Sequence, residues 1–303
     1  MSRSAPPHVV RLGRTGVEIL ESLGQHRLLS TRQIHELHTP GSSIRWTQDL
    51  LGRLRVDGLA LPTTMPGGRF AWHITETGAD VLEEVPNRAE ERRPAVTPEK
   101  AAGPLQEHTL AVNELGLAFV RAARGRAGDE CGPFDWFHEI AHSLGPPPGR
   151  RAPEQLIADA ILTYLLVDDD GAVSIAYRFV ELDRANRSTA ELARRIGRYA
   201  RLHRRTVPAE DPAIGRIALW EHRYPVFPGL LVVLAGGRPE ALRRRRSIVL
   251  ALCRADSMLA STPEVELSIC LLDDLIERGP FAPIFRSPER PEADTDWLGE
   301  EGR

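Results

Sequence analysis

Hydrophobic spacing over residues 16–84 predicts the order helix, helix, helix, hairpin, helix. Apolar residues recur at intervals of three and four in a first helix from about residue 16, in a second over Thr31–His38 and in a third over Ser43–Val56. Thr15-x-x-Glu18 and Ser30-x-x-Gln33 match the capping box that begins helices. Two short apolar-rich runs then flank the turn-forming tip 65–68, which predicts a β-hairpin.

The third helix has one apolar and one polar side. The apolar residues fall within about a third of the helical circumference and should face the core: Ile44, Thr47, Leu50, Leu51 and Leu54. The opposite side presents Arg45, Gln48, Asp49, Gly52 and Arg53. Several of these side chains can meet base edges or phosphates, so this helix is the candidate DNA-reading element.

A helix of this kind followed by a hairpin is typical of winged helix-turn-helix domains, which insert the helix into the major groove. We therefore predict such a domain at residues 10–86, with double-stranded DNA as its partner. Homodimerisation is expected, because these proteins commonly read two half-sites. A winged helix used only for protein contacts is the alternative. The predicted DNA-binding residues are Arg32, Arg45, Gln48, Arg53 and Arg69.

A second domain is expected beyond residues 87–104, which are rich in Pro, Glu, Arg and Ala, lack apolar periodicity and predict a linker. This domain, at 105–287, should have the order α-β-β-β-α-β followed by a C-terminal helix, and a disordered tail at 288–303. The predicted helices are 106–124, one capped by Ser188-x-x-Glu191, and 239–259; the predicted strands are 134–141, 156–167, 174–183, 214–221 and 229–234.

Carboxylates stand on successive elements of this domain: Glu114, Glu139, Asp159, Glu181 and Asp183. Glu181 and Asp183 share a face of their strand, because side chains alternate with period two. The spacing Asp-x21-Glu-x-Asp fits a degenerate PD-(D/E)XK nuclease core whose final position, normally lysine, is Asp183. The predicted fold is therefore α+β, an N-terminal winged helix-turn-helix followed by an α/β PD-(D/E)XK-like domain.

The chemistry of these acids has two interpretations. Glu114, Asp159, Glu181 and Asp183 would be catalytic in an endonuclease, with Mg²⁺ on Asp159, Glu181 and Glu139, since carboxylate oxygens hold Mg²⁺ and the metal activates water. Alternatively, arginines satisfy these acids in an inert domain that acts as a binding platform or accompanies a transcription regulator. The run Arg243–Arg246 is more typical of a solvated helix face than of a phosphate-binding patch.

A competing motif is His138-Glu-Ile-Ala-His142, which matches the zinc-protease pattern H-E-x-x-H. That chemistry needs both histidines one turn apart on a helix. The flanking residues predict a strand, on which the two side chains would be roughly 13 Å apart at about 3.3 Å per residue. A zinc protease fused to a DNA-binding module is therefore the least favoured alternative.

Composition predicts a cytoplasmic protein, and its net charge gives no overall basic character. The chain has 303 residues, a net charge of −3 and three cysteines without metal or disulfide spacing. It has no signal-like N-terminus and no apolar run long enough for a membrane span. DNA binding must therefore rest on local charge, supplied almost entirely by arginine.

The chain as a whole resembles the replication-relaxation family of actinobacterial and plasmid-borne proteins. The resemblance rests on Leu28–Ile34, Gly67–Thr75, His108–Glu114, Ala158–Ala160 and Phe179–Arg184, with Tyr199 on the next helix. It implies a role in plasmid or mobile-element replication and in relaxation of supercoiled DNA by nicking. The family's usual Glu-x-Asp-Arg-Gly-Thr run is here Glu181-Leu-Asp-Arg-Ala-Asn186, so the loop after this strand departs from the family pattern.

Overall fold

The computed structural model describes residues 7–84, 105–145, 154–210 and 215–300. It divides into two compact units, Met1–Val120 with Gly132–Phe134, and Arg121–Cys131 with Asp135–Arg303. The division falls inside a helix, whose first turns belong to the first unit. The predicted linker 87–104 lies outside the described residues.

The first unit combines helices with a small antiparallel sheet in the order β1-β3-β2. The described helices are α1 (Pro7–His26), α2 (Thr31–His38), α3 (Ile44–Val56), α4 (Glu76–Glu83) and α5 (Leu105–Arg124). The strands are β1 (Leu29–Ser30), β2 (Ala60–Thr64) and β3 (Phe70–Ile74), with a 3₁₀ turn at Pro66–Gly68. The predicted succession of helices and hairpin is confirmed.

Local signals locate the helix starts closely. Ser30 and Gln33 form the predicted capping box at the start of α2. The span Pro7–His26 contains two helical segments, because the backbone of Gly13, with φ 65° and ψ 170°, leaves the helix. The second segment begins directly after Gly13, so the predicted start at Thr15 falls in its first turn.

The second unit is built on a five-stranded mixed sheet in the order β10-β9-β6-β5-β4. β4, β5 and β6 pair antiparallel, whereas β6, β9 and β10 pair parallel and are connected through helices, as parallel pairs require. The strands are β4 (Trp136–Gly145), β5 (Glu154–Val167), β6 (Val173–Asp183), β7 (Thr206–Pro208), β8 (Arg216–Ala218), β9 (Gly229–Leu234) and β10 (Leu267–Leu271). The helices are α6 (Thr189–Arg204), α7 (Pro239–Ala255), α8 (Ser257–Ala260) and α9 (Leu272–Arg278), with a 3₁₀ turn at Leu219–His222.

Several predictions for the C-terminal third are wrong. The strand expected at 214–221 is the short β8 followed by a 3₁₀ turn, and residue 214 lies outside the described residues. The helix expected to reach residue 259 ends at Ala255, because Asp256 caps a new helix, α8. β10 and α9 were not predicted at all.

The tail expected to be disordered from residue 288 is ordered through residue 300. Phe285 pairs with Thr295 in a β-bridge, and Trp297 is buried. Proline and charge composition suggested a solvated tail, but burial of one tryptophan ties the segment to the sheet. Among the described residues, no helix combines the length and apolar character needed to cross a membrane.

Gly78 in α4 makes a testable packing prediction. A Cβ at this position would lie 2.2 Å from the backbone oxygen of Leu59. We expect Gly78→Ala to lower the free energy of unfolding by about 1–3 kcal/mol, measured by urea denaturation. The matched control is Gly52→Ala in α3, where a Cβ meets nothing within 4 Å; it should raise stability by about 0.5–1 kcal/mol. Equal stabilities for the two variants would contradict this packing.

Candidate functional site

The polar side of α3 faces solvent, as the sequence predicts. Arg45, Gln48, Asp49 and Arg53 are exposed, while the opposite side is buried through Thr47, Leu50, Leu51 and Leu54. Ser43 caps the helix by accepting a hydrogen bond from the backbone N–H of Trp46. The helix is therefore held on one side and presents the other to solvent. Its exposed polar residues Arg45, Gln48, Asp49 and Arg53, which are interrupted by the exposed Trp46 and Val56, form what we call the α3 polar face.

The α3 polar face carries charges of both signs. The Arg45 guanidinium lies 3.2 Å from the Asp49 carboxylate one turn on, and both side chains are largely exposed. An exposed pair of this kind contributes little to stability, so Arg45 can exchange this partner for another anion. Asp49 in turn limits how strongly the face attracts phosphate.

A groove of about 470 Å³ runs beside α3 within the first unit. Arg69, at the tip between β2 and β3, lies on it and is exposed as predicted. Ile44 was expected in the core, but it is 45% exposed, because it stands in the first turn of α3 and lines this groove instead. Phe70 lines the same groove and is also exposed. The surface next to the α3 polar face is thus partly apolar.

Glu114 lies in the first unit, away from its predicted catalytic role. Its carboxylate accepts a hydrogen bond from Gln33 Nε2 at 2.7 Å and forms an ion pair with Arg32, both on α2. Arg32 also pairs with Glu36 at 3.0 Å. Arg32, predicted to bind DNA, is therefore shared between two carboxylates, and Glu114 fastens α5 to α2. Three of the predicted catalytic carboxylates, Asp159, Glu181 and Asp183, lie on β5 and β6. We call them the carboxylate cluster.

Asp159 lies where β5 leaves β6. The recorded pairing of these strands ends at Ala160↔Val180, and beyond it β5 pairs with β4. Asp159 Oδ2 accepts a hydrogen bond of 2.8 Å from the backbone N–H of Leu182, in place of the missing ladder bond. The carboxylate therefore serves the backbone at the point where the β4–β5 hairpin diverges from the sheet.

Glu181 is almost completely buried and both of its oxygens are occupied. Arg195 Nε donates to Oε2 at 2.5 Å, and the Tyr199 hydroxyl donates to Oε1 at 2.5 Å. Arg195 also donates to the Ile157 carbonyl at 2.6 Å and lies 3.9 Å from Asp159. Burial and the neighbouring Asp159 raise the pKa of Glu181 to about 7, against the opposing effect of Arg195.

Asp183 forms an ion pair with Arg245. Arg245 Nε donates to Asp183 Oδ2 at 2.7 Å, and its Nη2 donates to the Arg187 carbonyl. The run Arg243–Arg246 is therefore not a uniformly solvated face as expected. Arg246 is also buried and donates to the Ile284 carbonyl, which leaves Arg243 and Arg244 as its exposed members.

The expected Mg²⁺ ligands do not form a metal site in this arrangement. Glu139 lies opposite Asp159 in the β4–β5 register, but its backbone has φ 53° and its side chain is exposed. Both oxygens of Glu181 are already occupied: Oε2 by the Arg195 cation, which would repel a metal ion, and Oε1 by the Tyr199 hydroxyl. Among the described residues, no group of three or more His, Cys, Asp or Glu side chains is placed to hold a metal ion. The residues present therefore do not fit the predicted Mg²⁺.

The zinc-protease interpretation of His138–His142 is wrong, because these residues lie on β4 and not on a helix. Both histidines are buried, and His142 Nε2 is 2.8 Å from the Tyr224 hydroxyl. Burial, with Arg223 nearby, lowers the pKa of His142 to about 4. His142 is a neutral core residue, packed edge-on against Phe179.

Sequence reasoning missed the two arginines that complete the cluster. Arg195 and Tyr199 are four residues apart on α6, so they lie on one face of the helix and converge on Glu181. That spacing was visible in the sequence beside the capping box of α6. Arg245 had no such signal, because only the parallel crossover brings α7 to the end of β6.

The model of the replication-relaxation family matches residues 20–215. The chain belongs to this family. The match covers the first unit from within α1, the carboxylate cluster and the helix α6 that covers it. Family membership implies a role in plasmid replication. No curated protein and no solved structure gives a significant match to the chain.

The raised pKa of Glu181 predicts a pH dependence of stability. Its pKa is about 7 in the folded protein against an ordinary value of 4.5, so the folded state binds this proton more tightly. The resulting stabilisation is complete below pH 4.5 and is lost as the pH rises through about 7. Between pH 4.5 and 7 we expect the free energy of unfolding of the wild type to fall relative to that of Glu181→Gln, measured by urea denaturation at several pH values. The lowered pKa of His142 contributes the opposite slope to both proteins and cancels in this difference. Parallel pH profiles for the two proteins would contradict the shift.

Proposed function

We propose that this chain is a double-stranded-DNA-binding protein of plasmid or mobile-element replication. Its first unit acts as a winged helix-turn-helix domain and its second as a nuclease-like domain without cleavage chemistry. One observation carries the DNA-binding proposal: α3 is anchored through an apolar side and presents its arginine-bearing side to solvent. Family membership supplies the biological setting.

The α3 polar face supports duplex recognition by its dimensions and its donors. An α-helix fits the major groove of B-DNA, where Gln and Arg side chains reach base edges. Gln48 and Arg45 lie in the exposed first half of α3 and are assigned to base edges, and phosphate contacts are assigned to Arg45, Arg53 and Arg69. Arg32 contributes less than the sequence suggested, since Glu36 and Glu114 already neutralise it.

Local arginines have to supply the electrostatic attraction, because the net charge of the chain is −3. Asp49 lies on the same face and opposes this attraction. Arg45 therefore contributes to binding only where an acceptor on the DNA competes successfully with the Asp49 carboxylate. Such a balance weakens non-specific phosphate binding more than base-directed contacts. It is consistent with a protein that selects a site rather than coating DNA.

The second unit supports the binding-platform interpretation over nicking. The spacing of Asp159, Glu181 and Asp183 fits the degenerate PD-(D/E)XK pattern predicted from the sequence, and the unit is built on a mixed sheet. However, Arg195, Tyr199 and Arg245 occupy the carboxylates, and position 183 carries an acid in place of lysine. Buried acids paired in this way hold a fold together, and removing one partner is costly. A homodimer remains a prediction, to be tested by sedimentation.

A salt titration with a double variant tests the DNA-binding proposal. We expect Arg45→Ala with Arg53→Ala to weaken duplex binding and to reduce the slope of log affinity against log salt by about 1.8, the value for two phosphate contacts. Fluorescence anisotropy of a labelled duplex measures both quantities. Arg14→Ala, at an exposed arginine on α1, is the matched control and should bind as the wild type does. An unchanged slope in the double variant would reject α3 as the reading helix.

Supercoiled plasmid incubated with Mg²⁺ tests the platform interpretation. We expect no nicking above background, and no difference between the wild type and Asp159→Ala, Glu181→Ala or the exposed-carboxylate control Asp170→Ala. Nicking that disappears in Asp159→Ala and Glu181→Ala but persists in Asp170→Ala would establish an endonuclease and overturn this interpretation. A regulator of transcription with an inert second domain shares the predicted result, and is distinguished by binding to a promoter rather than to a replication origin.

A further inference from the structure

A cavity of about 320 Å³ lies in the second unit, beside the start of β9 and β10. Arg178 of β6 projects from the opposite sheet face to Glu181, because the two residues are separated by an odd number of positions. The cavity is therefore separate from the carboxylate cluster. Most of its lining lies beyond residue 215, where the family match ends, and includes Pro263, Glu266, Ser268, Glu289, Arg290 and Trp297.

The Arg178 guanidinium is held in place by its surroundings. Its strand neighbour is Gly229, where a Cβ would lie 3.1 Å from Arg178 Nη1, so the glycine gives the side chain room to cross β9. On the other side the guanidinium carbon lies 5.1 Å from the centre of the Trp297 ring, in a cation–π contact. Arg178 Nη1 donates to the Tyr177 carbonyl at 3.0 Å. The cation is thus fixed in the wall of the cavity.

The ion pair of Arg178 is long, and its acidic partner is exposed. The Arg178 side chain is 13% exposed, and its recorded carboxylate partner, Glu266, lies 3.8 Å away and is 73% exposed. Burial lowers the pKa of Arg178, against the opposing effects of Glu266 and Asp296. Buried cations are costly unless they are paired and hydrogen-bonded. An anion in the cavity would compete with the exposed Glu266 for Arg178, and it would have to bind closely enough to overcome repulsion by Glu266 and Asp296.

We propose that this cavity binds a small phosphate-bearing molecule of about the size of a mononucleotide, with its phosphate on Arg178. Planar guanidinium groups recognise phosphate through two parallel hydrogen bonds. The Ser268 hydroxyl lies on the same face of the sheet, on the neighbouring strand to Gly229, and lines the cavity. Pro263, Leu267 and Leu298 offer apolar contacts to the rest of the ligand. The volume falls at the lower end of the roughly 300–1,000 Å³ typical of ligand pockets.

Isothermal titration calorimetry of the full chain with inorganic phosphate and with deoxyadenosine monophosphate tests the proposal. We expect both to bind, the nucleotide more tightly, and Arg178→Met to weaken each by at least about tenfold. Arg244→Met, at an exposed arginine of α7, is the matched control and should leave binding unchanged. Ser268→Leu keeps Arg178 but fills the cavity, so it should abolish nucleotide binding even if Arg178→Met fails to fold.

Three outcomes would overturn the assignment. The first is the absence of binding heat for both ligands at millimolar concentration. The second is unchanged binding in both Arg178→Met and Ser268→Leu. The third is a loss of duplex binding in Arg178→Met while neither small anion binds, which would assign Arg178 to the DNA backbone. This result is independent of the α3 variants, so it distinguishes failure of the cavity proposal from failure of the proposed DNA-binding function.

Discussion

Burial of the Glu181 carboxylate is the interaction on which the second unit depends. A buried carboxylate is costly unless its charge and lone pairs are satisfied, and here a guanidinium and a phenol satisfy both oxygens. Meeting that requirement fixes α6 over β6. The same Arg195 reaches the carbonyl of Ile157, and so ties the diverging β4–β5 hairpin to the helix. One ion pair thereby joins three elements of the fold.

The Arg195–Glu181 ion pair also decides whether the carboxylate cluster can bind a metal ion. A nuclease site of this architecture needs carboxylate oxygens directed at a metal, whereas Arg195 supplies a permanent cation within the protein. The second carboxylate, Asp159, lies where β5 leaves β6 and already accepts a hydrogen bond from the backbone N–H of Leu182. The stability of the cluster and its use as a metal site therefore oppose each other. This opposition agrees with the proposal that the second unit lacks cleavage chemistry.

In the first unit, hydrogen bonds between α5 and the elements before it hold together the domain that carries α3. Asn113 of α5 is buried and donates to the Leu28 carbonyl at 2.7 Å, and Gln33 of α2 donates to the Leu110 carbonyl at 2.9 Å. With the Glu114 contacts these bonds make α5 part of the unit that presents α3. Helix α5 thus supports the α3 polar face, and its Glu114 pairs with Arg32, which stays exposed. The first unit is therefore built from more than the helices and hairpin of the predicted domain.

Local patterns in the sequence determined many elements of this protein, although not β10 or α9, because helix caps, apolar periodicity and hairpin turns act over a few residues. They placed α2, α3, α6, β6 and the exposed side of α3, and they paired Glu181 with Asp183 on one strand face. Only the tertiary structure decided which charges meet. It brought Arg245 to Asp183, Arg195 to Glu181 and Glu114 to Arg32, and it buried Trp297 beside Arg178. These partners are distant in sequence, and an ion pair leaves no periodic trace, so the carboxylates looked like a metal site until their arginines were located.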